Sequence, residues 1–186
     1  MVDGAKNTTV SNDIGQSWNP LSLPEEVEFV YDFIHNGETW LALGRNTNLQ
    51  TISIISSDLE DWTINPIPET FEGVNSIAYG YGRYMATSAG GDASEESTII
   101  LSSRDGIKWE QNRIEGLKKG NITFTESGFS ISHKDKQFIY MDHLGWKEFS
   151  IPGSNQDTPI SYLMGDSVYF IKSGLGRAPF PSLEAI

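Results

Sequence analysis

Ser103-Arg104-Asp105-Gly106-Ile107-Lys108-Trp109 joins two short runs, Thr98 to Ser102 before it and Trp109 to Ile114 after it. Runs of this length, bounded by turn residues, read as strands, and the heptapeptide between them reads as a tight β-hairpin turn. An Asp carboxylate accepts backbone N–H groups two residues on and holds such a turn. A Gly, or an exposed polar residue, takes the positive φ that the turn demands. Trp109 then opens the next strand and lays a large apolar ring over the turn.

The same pattern recurs on either side. Upstream lie Ser11-Asn12-Asp13-Ile14-Gly15-Gln16-Ser17-Trp18 and Ser56-Ser57-Asp58-Leu59-Glu60-Asp61-Trp62. Downstream, Tyr140-Met141-Asp142-His143-Leu144-Gly145-Trp146 is a worn copy that keeps Asp142, Gly145 and Trp146 but has no Ser. Tryptophans at 18, 62, 109 and 146 set a period of 37 to 47 residues. A unit of that size is one small sheet that cannot bury its own face, so it must stack on copies of itself.

A second landmark keeps the same period. β-rich runs broken by Gly37, Gly82, Gly128 and Gly165 resume with an aromatic or branched residue, which is a hairpin signature. Prolines give the position of the last strand: Pro20 and Pro66 lie inside it, and Pro24, Pro68 and Pro152 follow Trp18, Trp62 and Trp146 by six residues. Proline lacks a ladder donor, so these strands belong at a sheet edge.

Each unit therefore reads as four antiparallel strands. The second spans 28–35, 39–43, 50–56 and 62–67. The third spans 74–79, 83–88, 98–102 and 109–114, and the fourth 122–125, 129–133, 137–141 and 146–151. No stretch sustains a 3.6-residue apolar period, so essentially no helix is expected. The N-terminus, about 7–23, offers only the last two strands of a unit, and the C-terminus, about 159–173, only the first two. Joined, they complete a fourth unit and remove exposed inner edges. The expectation is an all-β, four-bladed β-propeller over residues 1–173, closed by N-terminal strands pairing with C-terminal strands, with a tail from 174 to 186. Two other arrangements use the same pattern: a piece of a longer propeller, and end strands that pair between subunits.

The first copy, Ser-x-Asp-x-Gly-x-x-Trp, resembles the Asp-box, or bacterial neuraminidase repeat, of sialidase-like propellers. The third copy resembles the shortened form found in bacterial and phage propeller proteins. The similarity covers nearly the whole chain at repeat level and speaks to architecture more than to activity. It implies a structural turn role for Ser11, Asp13, Gly15 and Trp18, for Ser56, Asp58 and Trp62, for Ser103, Asp105, Gly106 and Trp109, and for Asp142, Gly145 and Trp146. No catalytic role is carried onto the four aspartates. The resemblance further implies an accessory structural protein of a tailed-phage virion, with other proteins of a larger assembly, virion proteins among the candidates, as partners. The alternatives it leaves open are a glycan-binding, lectin-like propeller and a degenerate sialidase-like glycoside hydrolase.

Composition narrows the classes. Thirteen basic against 25 acidic residues give a net charge of −12, and no basic stripe of the kind nucleic-acid or anionic-membrane binding needs is present. Cysteine is absent, which excludes disulfides, thiolate metal sites and a cysteine nucleophile. No signal peptide and no membrane-length apolar run is recognisable, so the expected site of synthesis is the cytoplasm, with virion association under the phage reading.

Catalytic chemistry finds little purchase. Sialidase chemistry wants an arginine cluster, an activated tyrosine and a separate acid, whereas Arg104 falls in a turn and Arg113 on an outer strand. Glu25-Glu26, Glu60-Asp61 and Glu95-Glu96 read as solvated loops. The acidic loop Gly90 to Ser97 lacks the alternating ligand spacing of a calcium site, and His35, His133 and His143 lack metal-ligand spacing. No catalytic residue, metal or cofactor is expected. The candidate interface residues are Tyr81, in a Gly-flanked turn, and Phe180 and Leu183 in the apolar tail.

Overall fold

The computed structural model describes residues 8–67, 73–88, 97–117, 120–125, 128–133, 136–142, 144–150, 160–164, 167–172 and 174–179, the last three stretches as backbone only. Among them the only regular elements are strands. They run β1 Thr9–Val10, β2 Asn19–Pro20, β3 Val27–His35, β4 Trp40–Asn46, β5 Thr51–Ser56 and β6 Thr63–Pro66. Next come β7 Val74–Gly80, β8 Arg83–Ser88, β9 Ser97–Ser103 and β10 Glu110–Glu115. Then follow β11 Ile122–Thr125, β12 Gly128–His133, β13 Lys136–Met141, β14 Gly145–Ser150, β15 Ile160–Met164, β16 Ser167–Lys172 and β17 Gly174–Pro179.

Three sheets, β3–β6, β7–β10 and β11–β14, are four-stranded antiparallel meanders in chain order; β1–β2 is a two-stranded ribbon and β15–β17 a three-stranded sheet. The expected strands all form, with ends within three residues of those read from the pattern. The all-β class and the four-stranded antiparallel unit therefore stand. Pro20 and Pro66 sit in the edge strands β2 and β6, where a missing N–H breaks no ladder. The second meander likewise ends on an edge strand, β10, which carries Arg113.

The C-terminal stretch departs from expectation. Gly174–Pro179, read as the start of a tail outside the repeat, forms β17 and pairs with β16 from Lys172↔Gly174 to Ser167↔Pro179. β16 is thus flanked by β15 and β17, and the edge expected to receive an N-terminal strand is occupied. The stretch 175–178 is short in branched residues, but backbone donors and acceptors beside an open sheet edge pair whenever a turn brings them there. Phe180 and Leu183 lie outside the described residues.

The chain divides into two compact units, 1–119 and 120–186. In the first, the meander β3–β6 is covered on both faces. Leu41 and Leu43 alternate onto one face and meet Ile77, Tyr84, Ala86, Leu101 and Trp109 of the next meander. Ala42, Ile52 and Ile54 point to the other face, where Val27, Val30, Phe33, Trp62 and Leu23 gather. That two-sided burial explains why β4 and β5 read as nearly continuous apolar runs while the edge strands β6 and β10 are largely exposed. A bulge in β3 between Val30 and Asp32 lies opposite Gly44, where any Cβ would run into the Phe29 carbonyl.

In the second unit, β11–β14 carries an aromatic ladder. Phe124 packs on Phe129 at 4.9 Å between ring centroids, Phe129 on Tyr140 at 6.3 Å, and Tyr140 on Trp146 at 5.5 Å.

Candidate functional site

The three Ser-x-Asp turns share one hydrogen-bond scheme. In the second, Ser56 Oγ donates to Asp58 Oδ1 at 2.9 Å and accepts the Leu59 N–H at 2.9 Å. Asp58 Oδ1 then accepts the N–H groups of Glu60 and Asp61, both at 2.9 Å. In the third, Ser103 Oγ accepts the Gly106 N–H at 2.9 Å, and Asp105 Oδ1 accepts those of Ile107 and Lys108 at 2.8 and 2.9 Å. The first turn is one residue longer. There Asp13 reaches Ser17 instead, taking its N–H at 2.8 Å on Oδ1 and its hydroxyl at 2.6 Å on Oδ2.

These bonds favour the charged carboxylate. The Ser17 hydroxyl and N–H hold Asp13 down at about 2. The N–H groups of Asp61 and Glu60 lower Asp58, and those of Lys108 and Ile107 lower Asp105. A carboxylate held this way is a poor proton carrier at neutral pH and a good turn clamp. The fourth turn keeps its tight form, with the Leu144 N–H on the Met141 carbonyl at 3.0 Å and Gly145 at φ +70°.

The tryptophans of the motif differ in surroundings. Trp109 is 8% exposed, and its Nε1–H donates to the Gly106 carbonyl at 2.9 Å. Trp62 is half-buried and donates to the Ser22 carbonyl at 3.1 Å. Trp146 is also half-buried, whereas Trp18 is 51% exposed. Gly106 is buried: a Cβ there would strike Leu41 and crowd Ile55, and its carbonyl also accepts the Ser53 hydroxyl at 2.6 Å. The third turn is thus docked on the preceding sheet.

Left-handed residues bring a correction. In the second turn Leu59 takes φ +67°, and in the first Ile14 (φ +58°) precedes Gly15 (φ +82°), where Gly or a polar residue is expected. The Ser and Asp acceptors fix the backbone path, and the side chain at that position has to follow. Tyr81 sits in the β7–β8 turn at φ +48° and is 51% exposed.

Among the concavities of the first unit, two adjoin the motif turns. One cleft, of about 220 Å³, is lined by Arg83, Arg104, Lys108, Asp105, Glu110 and Trp109. Arg113 is elsewhere, its Nη1 donating to Ser97 Oγ at 2.7 Å across β10 and β9. The other is a groove of about 210 Å³ between ribbon and first meander, lined by Thr8 to Ser11, Trp18, Leu21, Phe33, Trp40 and Leu59, with no ionisable side chain. Its floor has a counterpart one unit on. Trp40 pairs His35 and Ser56 just as Tyr84 pairs Tyr79 and Ser103. Around Tyr84 that space is filled by Leu41 of β4, and the ribbon has no strand equivalent to β4. Thr8 in the groove is 5% exposed and its Oγ1 has no hydrogen-bond partner.

Asp32 joins the two meanders and carries no motif signal. Its Oδ2 accepts the Ile77 N–H at 2.9 Å, and its Oδ1 the Phe33 N–H at 2.8 Å. A lone Asp inside the apolar run of β3 is the one trace it leaves in the sequence. His35 stacks on Trp40 with centroids 4.4 Å apart. Among the described residues no group of three or more His, Asp or Glu is placed to hold a metal ion, and no helix is long and apolar enough to cross a membrane. The acidic loop 90–96 lies outside them.

No protein-family profile matches the chain, and no curated protein matches its sequence.

Proposed function

We propose that the chain is a four-bladed Asp-box β-propeller acting as a non-catalytic interaction module, an accessory protein of a larger assembly such as a tailed-phage virion. The observation that carries this is the thrice-repeated turn whose carboxylate is committed to its own backbone. Groups spent on holding turns build a scaffold; a hydrolase needs them free in a pocket. The ring closes, in this reading, between the ribbon and β15–β17. The groove beside Trp40 supports it: one unit on, the corresponding space around Tyr84 is filled by Leu41 of β4, and the ribbon has no strand equivalent to β4.

The test is cross-linking mass spectrometry on the native particle. The reading expects the chain at fixed stoichiometry, cross-linked to other structural proteins. Recovery of the chain as a free protein with no such cross-links would refute the assembly role. Glycan binding is the second reading, favoured by the two tryptophans and uncharged hydroxyls of the groove. Calorimetry with neutral oligosaccharides decides it: closure fills the groove and predicts no heat, whereas saturable binding lost in Trp40→Ala supports the lectin.

A further inference from the structure

Four non-glycine residues have positive φ among the described residues, and all four are large and apolar: Ile14, Leu49, Leu59 and Tyr81. Left-handed positions ordinarily go to Gly, Asn or Asp, and a β-branched or bulky side chain there is strained. Burial does not compensate. Ile14, Leu49 and Tyr81 are among the most exposed hydrophobics, and Leu59 is partly exposed. Strain held at a solvent-facing side chain, where Asn would fit without it, points to a use for that side chain in solvent.

Three of the four share one end of the first unit. In an antiparallel meander, the turn between the first and second strands and the turn between the third and fourth leave from the same end. Tyr81 lies in β7–β8, Leu59 in β5–β6 and Ile14 in the matching β1–β2 turn; Leu49, in β4–β5, lies at the other end. Ile107, 45% exposed at the tip of β9–β10, adds a fourth apolar residue to the rim. The turns at this end also carry the carboxylates of Asp13, Glu38, Asp58, Glu60, Asp61 and Asp105. They outnumber the rim cations Arg83, Arg104 and Lys108 by six to three.

We infer that this rim, with Ile14, Leu59, Tyr81 and Ile107 as anchors among carboxylates, is the docking surface for a basic protein partner that offers apolar pockets. Charge complementarity selects the partner: an acidic rim steers a basic surface onto it and repels a second copy of a chain with net charge −12. The inference rests on the reading of the chain as an interaction module.

The test uses the full chain and the variant Ile14→Asn/Leu59→Asn/Tyr81→Asn. Asn tolerates the left-handed conformation and removes the apolar tip. The probes are three immobilised peptides: alternating Lys and Leu, alternating Glu and Leu, and alternating Lys and Ser. The wild type binds the Lys/Leu peptide at least tenfold tighter than either control, and the variant loses at least tenfold. The variant also melts higher, by roughly 2 °C or more, because strain is released. A variant that binds equally or melts lower overturns the inference, as does a Glu/Leu peptide bound as tightly. Self-association of the wild type in sedimentation velocity, abolished in the variant, would assign the rim to a second copy and equally overturn it. Peptide binding intact with no cross-links in the native particle would sink the assembly role and leave the docking surface standing.

Discussion

Replacing Trp109 with alanine removes the ring that ties the third turn to the sheet before it. The side chain is 8% exposed and packs with Leu41, Tyr84 and Leu101, at 6.5 Å from the Tyr84 ring. Its Nε1–H bond to the Gly106 carbonyl is lost too, but that carbonyl keeps the Ser53 hydroxyl, so no buried acceptor is orphaned. The cost is then that of transfer and cavity, about 3–5 kcal/mol. Against a typical total of about 5–15 kcal/mol this is a large share. For a chain of 186 residues it corresponds to a fall in Tm of roughly 6–20 °C. The assay is thermal unfolding followed by circular dichroism, with urea midpoints as a second measure. Trp18→Ala is the control: at 51% exposure it should cost less than about 1 kcal/mol. Equal losses at the two positions, or a Trp109→Ala melt within error of wild type, would refute the packing argument.

Gly106→Ala should destabilise by about 2–4 kcal/mol, since φ +74° strains any Cβ and Leu41 and Ile55 leave it no room. Gly145→Ala, at φ +70° with open space around it, should cost only the backbone part, about 1–2 kcal/mol, and chemical denaturation separates the two. Acid gives a third outcome. Asp13, Asp58 and Asp105 have folded pKa values below the unfolded one, Asp13 at about 2. Their stabilisation is therefore present above about pH 4 and is lost as pH falls towards about 2. The urea midpoint of wild type should drop over that window relative to an Asp13→Asn/Asp58→Asn/Asp105→Asn variant; parallel curves would contradict the clamp role.

Most of the strand pattern is legible in the residues because two independent signals coincide. Glycines at 37, 82 and 128 and the Ser-x-Asp turns bracket runs such as Thr51-Ile52-Ser53-Ile54-Ile55-Ser56, whose branched residues suit a strand buried on both faces. β17 escapes this reading because Leu175-Gly176-Arg177-Ala178 has no β-branched residue, and pairing there follows from the open edge of β16. Left-handed Ile14 and Leu59 are equally invisible, since residue type argues against that conformation and only the turn's hydrogen bonds impose it. Asp32 is missed because its partner, the Ile77 N–H, lies 45 positions away. Sequence periodicity reports local structure well and says little about which long-range acceptor a lone polar residue will serve.

Closure of the ring is the claim on which the architecture turns, and the absence of cysteine makes it directly measurable. Spin labels on Asn19→Cys in β2 and Arg177→Cys in β17 report the separation of the two ends by pulsed dipolar spectroscopy. Adjacent strands lie about 4.8 Å apart and stacked sheets about 10 Å apart. A ring sealed by N-terminal strands pairing with C-terminal strands predicts a single distance of roughly 10–25 Å, label arms included. An open row of four stacked spacings would give about 40 Å or more, and that result would contradict the closed propeller.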